Sequence, residues 1–147
     1  MLSQSMPNSI SFRQENPLRQ LAQISIQVQT GAKELVGYEL LLGEESISYV
    51  HSGAASMVES IQNLVRNSAG SPDVNPLFSQ DVRHDLRNQV AVVKGFTDLM
   101  RMDLPEEHSV QEMLGDLSSK TKEFVEVLDS IKTVAETVEN DQLPMAS

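Results

Sequence analysis

Apolar positions recur along the chain at alternating steps of three and four residues, in stretches bounded by proline. Prolines stand at 7, 17, 72, 76, 105 and 144, so 18–71, 77–104 and 106–143 lack the residue that most strongly breaks a helix. In 106–143, Val110, Leu114, Leu117, Thr121, Phe124, Leu128, Ile131, Ala135 and Val138 keep this spacing with charged residues between them. That pattern predicts one long amphipathic helix carrying a heptad seam. In 77–104 the residues Leu86, Val90, Val93, Thr97, Met100 and Leu104 repeat it. The connection Asp103-Leu-Pro-Glu-Glu-His108 is short and polar, with Pro105 placed to start the next helix. Two helices joined so closely run antiparallel.

In the N-terminal half, Leu21, Ile24, Val28, Gly31, Leu35, Tyr38 and Leu42 hold heptad spacing, while Ile24-Ser-Ile-Gln-Val28 also alternates as a strand would. The length of the periodic run decides for helix. After Gly43-Glu-Glu-Ser46 a second run places Ile47, Val50, Ala54, Met57, Ile61 and Leu64 at the same spacing and stops at Asn67-Ser-Ala-Gly70, a helix-end signal. Ser68 to Pro76, rich in turn-forming residues, marks an internal boundary. The expected organisation is a flexible N-terminus (1–16), an N-terminal helical region (17–70), a hairpin (77–140) and a flexible tail (141–147). The expected fold class is all-α: an antiparallel helical hairpin dimerising into a four-helix bundle, with additional N-terminal helices. A hairpin alone would leave seam positions such as Leu114, Phe124 and Leu128 half covered, and a second copy is the expected cover.

A length of 147 residues suits one domain. The chain has no cysteine, which removes thiolate nucleophiles and Cys-containing metal sites and fits the cytoplasm. The formal charge of −10 is concentrated at one end, since residues 1–102 hold ten acids and eight bases and residues 103–147 hold eleven acids and three bases. Such a field repels phosphate backbones and anionic lipid, so neither nucleic acid nor a membrane surface is an expected partner. The longest apolar run is Val90 to Val93, far short of a membrane span, and Met1 to Pro7 lack the regions of a signal peptide. The chain is expected to be soluble and cytoplasmic.

On a helix each residue turns about 100°, which puts Asn88, Ala91, Gly95 and Met102 within about 40° of His84, with Leu86, Val90, Val93 and Met100 opposite. His84 is therefore expected to point out of the bundle from the middle of a stable helix, with the small residues Ala91 and Gly95 leaving room for another protein to approach. Asp85 is its sequence neighbour, and Arg87 and Lys94 flank the face. An unprotonated imidazole is a nucleophile, and a carboxylate beside it can orient the ring or take its proton. Phosphoryl transfer rests on positioning and charge neutralisation, for which nearby Arg, Lys and Asn are fitting companions. His51 and His108 are solitary and read as surface histidines, no metal site is expected, and Glu106 and Glu107 read as a solvated helix face. Met57, Met100 and Met113 read as core or seam.

The stretch Asp81-Val-Arg-His-Asp-Leu-Arg-Asn-Gln-Val-Ala-Val-Val-Lys-Gly-Phe-Thr-Asp-Leu-Met100 resembles the H-box of two-component histidine kinases. There the usual form is His-Asp/Glu-Leu-Arg-Asn/Thr-Pro-Leu followed by a small residue, a Gly and an aromatic. The resemblance covers 77–140, including the loop and second heptad helix of a dimerisation and histidine-phosphotransfer hairpin. It implies that His84 is the phospho-acceptor, that Asp85 is the acidic neighbour serving as base, and that Asn88 occupies the place that holds water in phosphatase reactions. It also implies a response-regulator receiver domain as partner, docking over Arg87, Ala91, Lys94 and Gly95, and a homodimer. No cofactor is expected on this chain, magnesium belonging to the receiver.

Two departures from the family bear on this. Gln89 stands where the family usually has Pro, so the helix bend beneath the histidine is expected to be missing. The glycines at 31, 37, 43, 53, 70, 95 and 115 form no nucleotide motif, and no ATP-binding domain with its Asn-rich box and Gly-rich lid can be read, so self-phosphorylation from ATP is not expected. The expected function is exchange of a phosphoryl group between His84 and a receiver aspartate, or dephosphorylation of that aspartate. The alternatives are a non-catalytic dimerisation and signal-linking module derived from a histidine kinase, or the N-terminal fragment of a longer regulator.

Overall fold

The computed structural model describes residues 16–68 and 76–142. The segment up to residue 15, most of the 68–76 boundary and the tail from residue 143, where loose ends and a linker are expected, lie outside the described residues. Four long helices make up the described chain: α1 (Pro17–Glu34), α2 (Glu44–Ser68), α3 (Gln80–Met102) and α4 (Val110–Gln142). The fold is all-α, an up-down-up-down bundle. None of these helices is long and apolar enough to cross a membrane.

Local chemistry explains most of the boundaries. Asn16 caps α1, its side-chain oxygen accepting from the Arg19 amide at 3.0 Å, and Pro17 occupies the first helical position, where its missing N–H costs nothing. The alternating stretch Ile24–Val28 is helical, with Ile24, Ser25 and Val28 buried. The heptad run to Leu42 is not one helix, however. After Glu34 it tightens into a 3₁₀ turn, Leu35–Tyr38, then a single α-turn, Glu39–Leu42. The chain then reverses through Gly43, whose φ of 97° lies in the region glycine adopts without strain. Leu35 remains in the core, while Tyr38 leaves the seam for the surface.

A second difference concerns the hairpin connection. Pro105 does not begin α4. It sits in the turn, where its carbonyl accepts from the His108 amide at 3.1 Å, and His108 becomes the helix-starting residue, its Nδ1 accepting from the Val110 amide at 3.1 Å. The Gln111 side chain then donates to the carbonyls of Arg101 and Leu104 at 2.8 and 3.0 Å, satisfying orphan acceptors at the end of α3.

Helices adjacent in sequence are adjacent in space and antiparallel. Gln89 on α3 donates to Ser60 on α2 at 2.8 Å, and Phe96 stacks on Tyr49 with ring centroids 4.6 Å apart. Between α3 and α4, Arg87 pairs with Asp129 near one end and Ser118 donates to Asp98 toward the other. The ring closes where α1 packs on α4, with Gln20 and Gln23 beside Glu126 and Ser130, and Thr30 and Glu34 beside Ser109 and Met113. Gly53 sets the α2–α3 approach: a Cβ there would stand 2.8 Å from a Val93 methyl.

One core runs through all four helices. Every α4 seam position from Val110 to Ala135 is buried, as are Leu86, Val90, Val93, Thr97 and Met100 on α3. The side chain of Val138 lies outside the described residues. The second pair of helices in the bundle comes from the same chain and not from a second copy. Leu21, Val28 and Leu35 of α1 with Val50, Met57 and Ile61 of α2 complete the core in which Leu114, Phe124 and Leu128 are fully buried. The seam is thus occupied within one chain.

Full burial of a large apolar side chain is worth about 1.5–3 kcal/mol. Leu128→Asp removes that gain and adds an unpaired carboxylate, at a cost above about 4 kcal/mol. The expected outcome is loss of cooperative melting followed by circular dichroism at 222 nm, and an unchanged melting curve would place Leu128 outside the core.

Candidate functional site

His84 lies in the second turn of α3, nearer the helix start than the middle of the element as expected, because residues 76–79 are not part of the helix. That start is well held. The Ser79 side chain accepts from the Val82 amide at 3.4 Å, and Asp81 in the first turn favours the positive end of the helix dipole. Leu77, fully buried in the 3₁₀ turn Pro76–Phe78, anchors the preceding chain on the core. Arg83 fastens the turn to α3, donating to the carbonyls of Leu77 and Phe78 at 3.0 and 2.8 Å. His84 is therefore an exposed side chain on a firmly seated backbone.

Asn88, Ala91 and Gly95 share its exposed face, as the helical spacing predicts. Beyond Gly95 the space is open, with nothing within 4 Å of where a Cβ would stand. Val92, Leu99 and Met102 add exposed apolar surface along the same side. Asp85 is exposed but turned about 100° from His84 by the helix, and no hydrogen bond joins the two among the described residues. The two cations expected to flank the face are tied to carboxylates of their own chain: Arg87 to Asp129, and Lys94 to Asp98 at 2.6 Å. Gln89 turns inward, its amide engaged with Ser60, and α3 runs unbroken through it. Gln89 thus fastens α3 to α2.

The structure adds two residues that the sequence pattern did not bring to this place. Lys132 and Glu136 of α4 line, with Phe78, Arg83, His84 and Arg87, a cleft of about 220 Å³. They stand one turn apart on α4, and the antiparallel pairing carries them to the start of α3. The other histidines do not gather here. His108 is spent on the start of α4, and His51 is half-buried on α2, its Nε2 shielded without a partner. Among the described residues no three His, Asp or Glu side chains converge as a metal site.

Toward the far end of the α3–α4 pair, Asp98 accepts from Lys94 at 2.6 Å and from Ser118 at 3.0 Å. Burial pushes its carboxyl up, but the hydrogen bonds from Lys94 and Ser118 and the charges of Lys94 and Arg101 outweigh this and hold it below the usual carboxylate value. A group whose pKa is depressed by folding stabilises the fold above its unfolded pKa, about 3.9, and loses that contribution as the pH falls through the folded value. Asp98→Asn is expected to lower the urea midpoint at pH 7 and to make the decline below about pH 4 shallower, since one linked proton is gone. An acid-side slope equal to that of the parent would mean the network is not linked to folding.

The chain matches no family model, no curated protein and no solved structure.

Proposed function

We propose that this chain is a phosphotransfer protein of two-component signalling, exchanging a phosphoryl group between His84 and the aspartate of a response-regulator receiver domain, or removing it from that aspartate. The observation that carries the reading is the placement of His84, Asn88, Ala91 and Gly95 on one exposed helical face, within a segment that resembles an H-box. A nucleophile on an open face, beside only a small cleft, suits a phosphoryl donor presented by another protein better than an enclosed small-molecule substrate. In this reading His84 is the carrier, Asp85 the base, and Asn88 the side chain that orients water toward the phospho-aspartate. Arg87, Ala91, Lys94 and Gly95 lie under the docked receiver, which brings its own magnesium, and the encounter takes place in the cytoplasm. A homodimer in this reading joins through exposed surface, the seam being filled by α1 and α2.

A second reading, a non-catalytic bundle that links a signal to an output, is favoured by one observation: Gln89, at the family's Pro position, is given over to holding α2.

Incubating the chain with phosphorylated receivers and following acid-labile, base-stable phosphohistidine tests the proposal. His84→Ala is expected to abolish the label while changing stability by less than about 0.5 kcal/mol, as is usual for an exposed residue. Asn88→Ala is expected to keep the label and slow hydrolysis of the receiver's phospho-aspartate. Transfer at the normal rate in His84→Ala would eliminate the carrier mechanism. A parent protein that takes no label from any receiver of its organism would support the signal-linking module.

A further inference from the structure

Three cations line the cleft beside His84, and two of them are committed. Arg83 donates to the Leu77 and Phe78 carbonyls, and Arg87 is paired with Asp129. The third, Lys132, is exposed and makes no hydrogen bond or ion pair among the described residues. Its position is unusual in the sequence as well. From Glu123 to Ser147 the chain holds six acids, and Lys132 is the sole base. A chain of net charge −10 repels a phosphoryl group, which brings roughly two negative charges of its own. An uncommitted ammonium at the nucleophile is the local remedy.

We propose, on the reading that His84 carries a phosphoryl group, that Lys132 is the positioning residue that holds the phosphoryl oxygens at His84. In the transfer, the lone pair of a neutral imidazole nitrogen attacks the phosphorus of the acyl phosphate. The N–P bond forms, the P–O bond to the aspartate breaks, and its electron pair stays on the aspartate carboxylate. The ring keeps the proton on its other nitrogen and is left positively charged. Glu136, one turn beyond Lys132, lines the same cleft. Lys132 neutralises charge on the moving group, a task that an ammonium on a long stem performs as a point charge.

Phosphoramidate, a small donor that phosphorylates histidine with release of ammonia, tests this on the full chain without a receiver. Uptake is followed by phosphorus NMR and the site mapped by mass spectrometry. Lys132→Gln is expected to slow labelling of His84 about tenfold, the loss of one charge-assisted hydrogen bond, and Lys132→Arg to restore most of the rate. Lys120→Gln, the same loss of charge far from His84 on α4, is expected to label at the parent rate. Parental labelling in Lys132→Gln, or an equal slowing in Lys120→Gln, overturns the inference while leaving the carrier reading intact. A parent that takes up no phosphoryl group at His84 from phosphoramidate or from any receiver overturns both.

Discussion

The seam of α4 is the constraint on which the rest of the molecule depends. A helix of 33 residues that turns an apolar side chain inward at every three or four positions has to be covered along nearly its whole length. The exposed alternative forfeits about 1.5–3 kcal/mol at each large residue. A single antiparallel neighbour covers one flank of such a stripe. Here α3 takes one flank and α1 the other, and α2 closes the square, with Gly53 allowing it to come close to Val93. Phe124, the largest of the fully buried side chains, belongs to the core these helices share.

What α3 presents to the outside follows from that inward demand. Committing Leu86, Val90, Val93, Thr97 and Met100 to the core leaves His84, Asn88, Ala91 and Gly95 no direction but outward. The flanks of the same helix are used for attachment, Gln89 to Ser60 on one side and Arg87 to Asp129 on the other. The histidine is thereby carried on an element held from both sides, with its own start fixed by Ser79 and Arg83. On the proposed reading, such rigidity lowers the entropic cost of bringing the His84 ring to a phosphoryl group.

How much of this could be read from the sequence depended on the range of the interaction. The seam and the outward face of α3 were legible because both are consequences of helical period alone. The break after Glu34 was not, because Leu35 and Leu42 keep heptad spacing through a region where Gly43 and the need to turn back decide the backbone. Pro105 is a strong helix-start signal, but the side chain of His108, three residues later, competed for the first amides of α4 and won. The expectation of a second chain arose because periodicity says that a stripe must be covered and is silent about which helix covers it. Lys132 and Glu136 were invisible as companions of His84 for the same reason, since antiparallel pairing of distant segments brings them together.

Whether the outer face of α3 around His84 is the working surface can be read from amide shifts mapped in the isotope-labelled chain. The chain would be titrated in turn with each receiver domain of its organism. One receiver is expected to perturb His84, Asn88, Ala91 and Gly95 as a contiguous patch and to leave the turn from Leu35 to Gly43 unmoved. Perturbations confined to that turn or to the α1–α2 side, or none with any receiver, would contradict it.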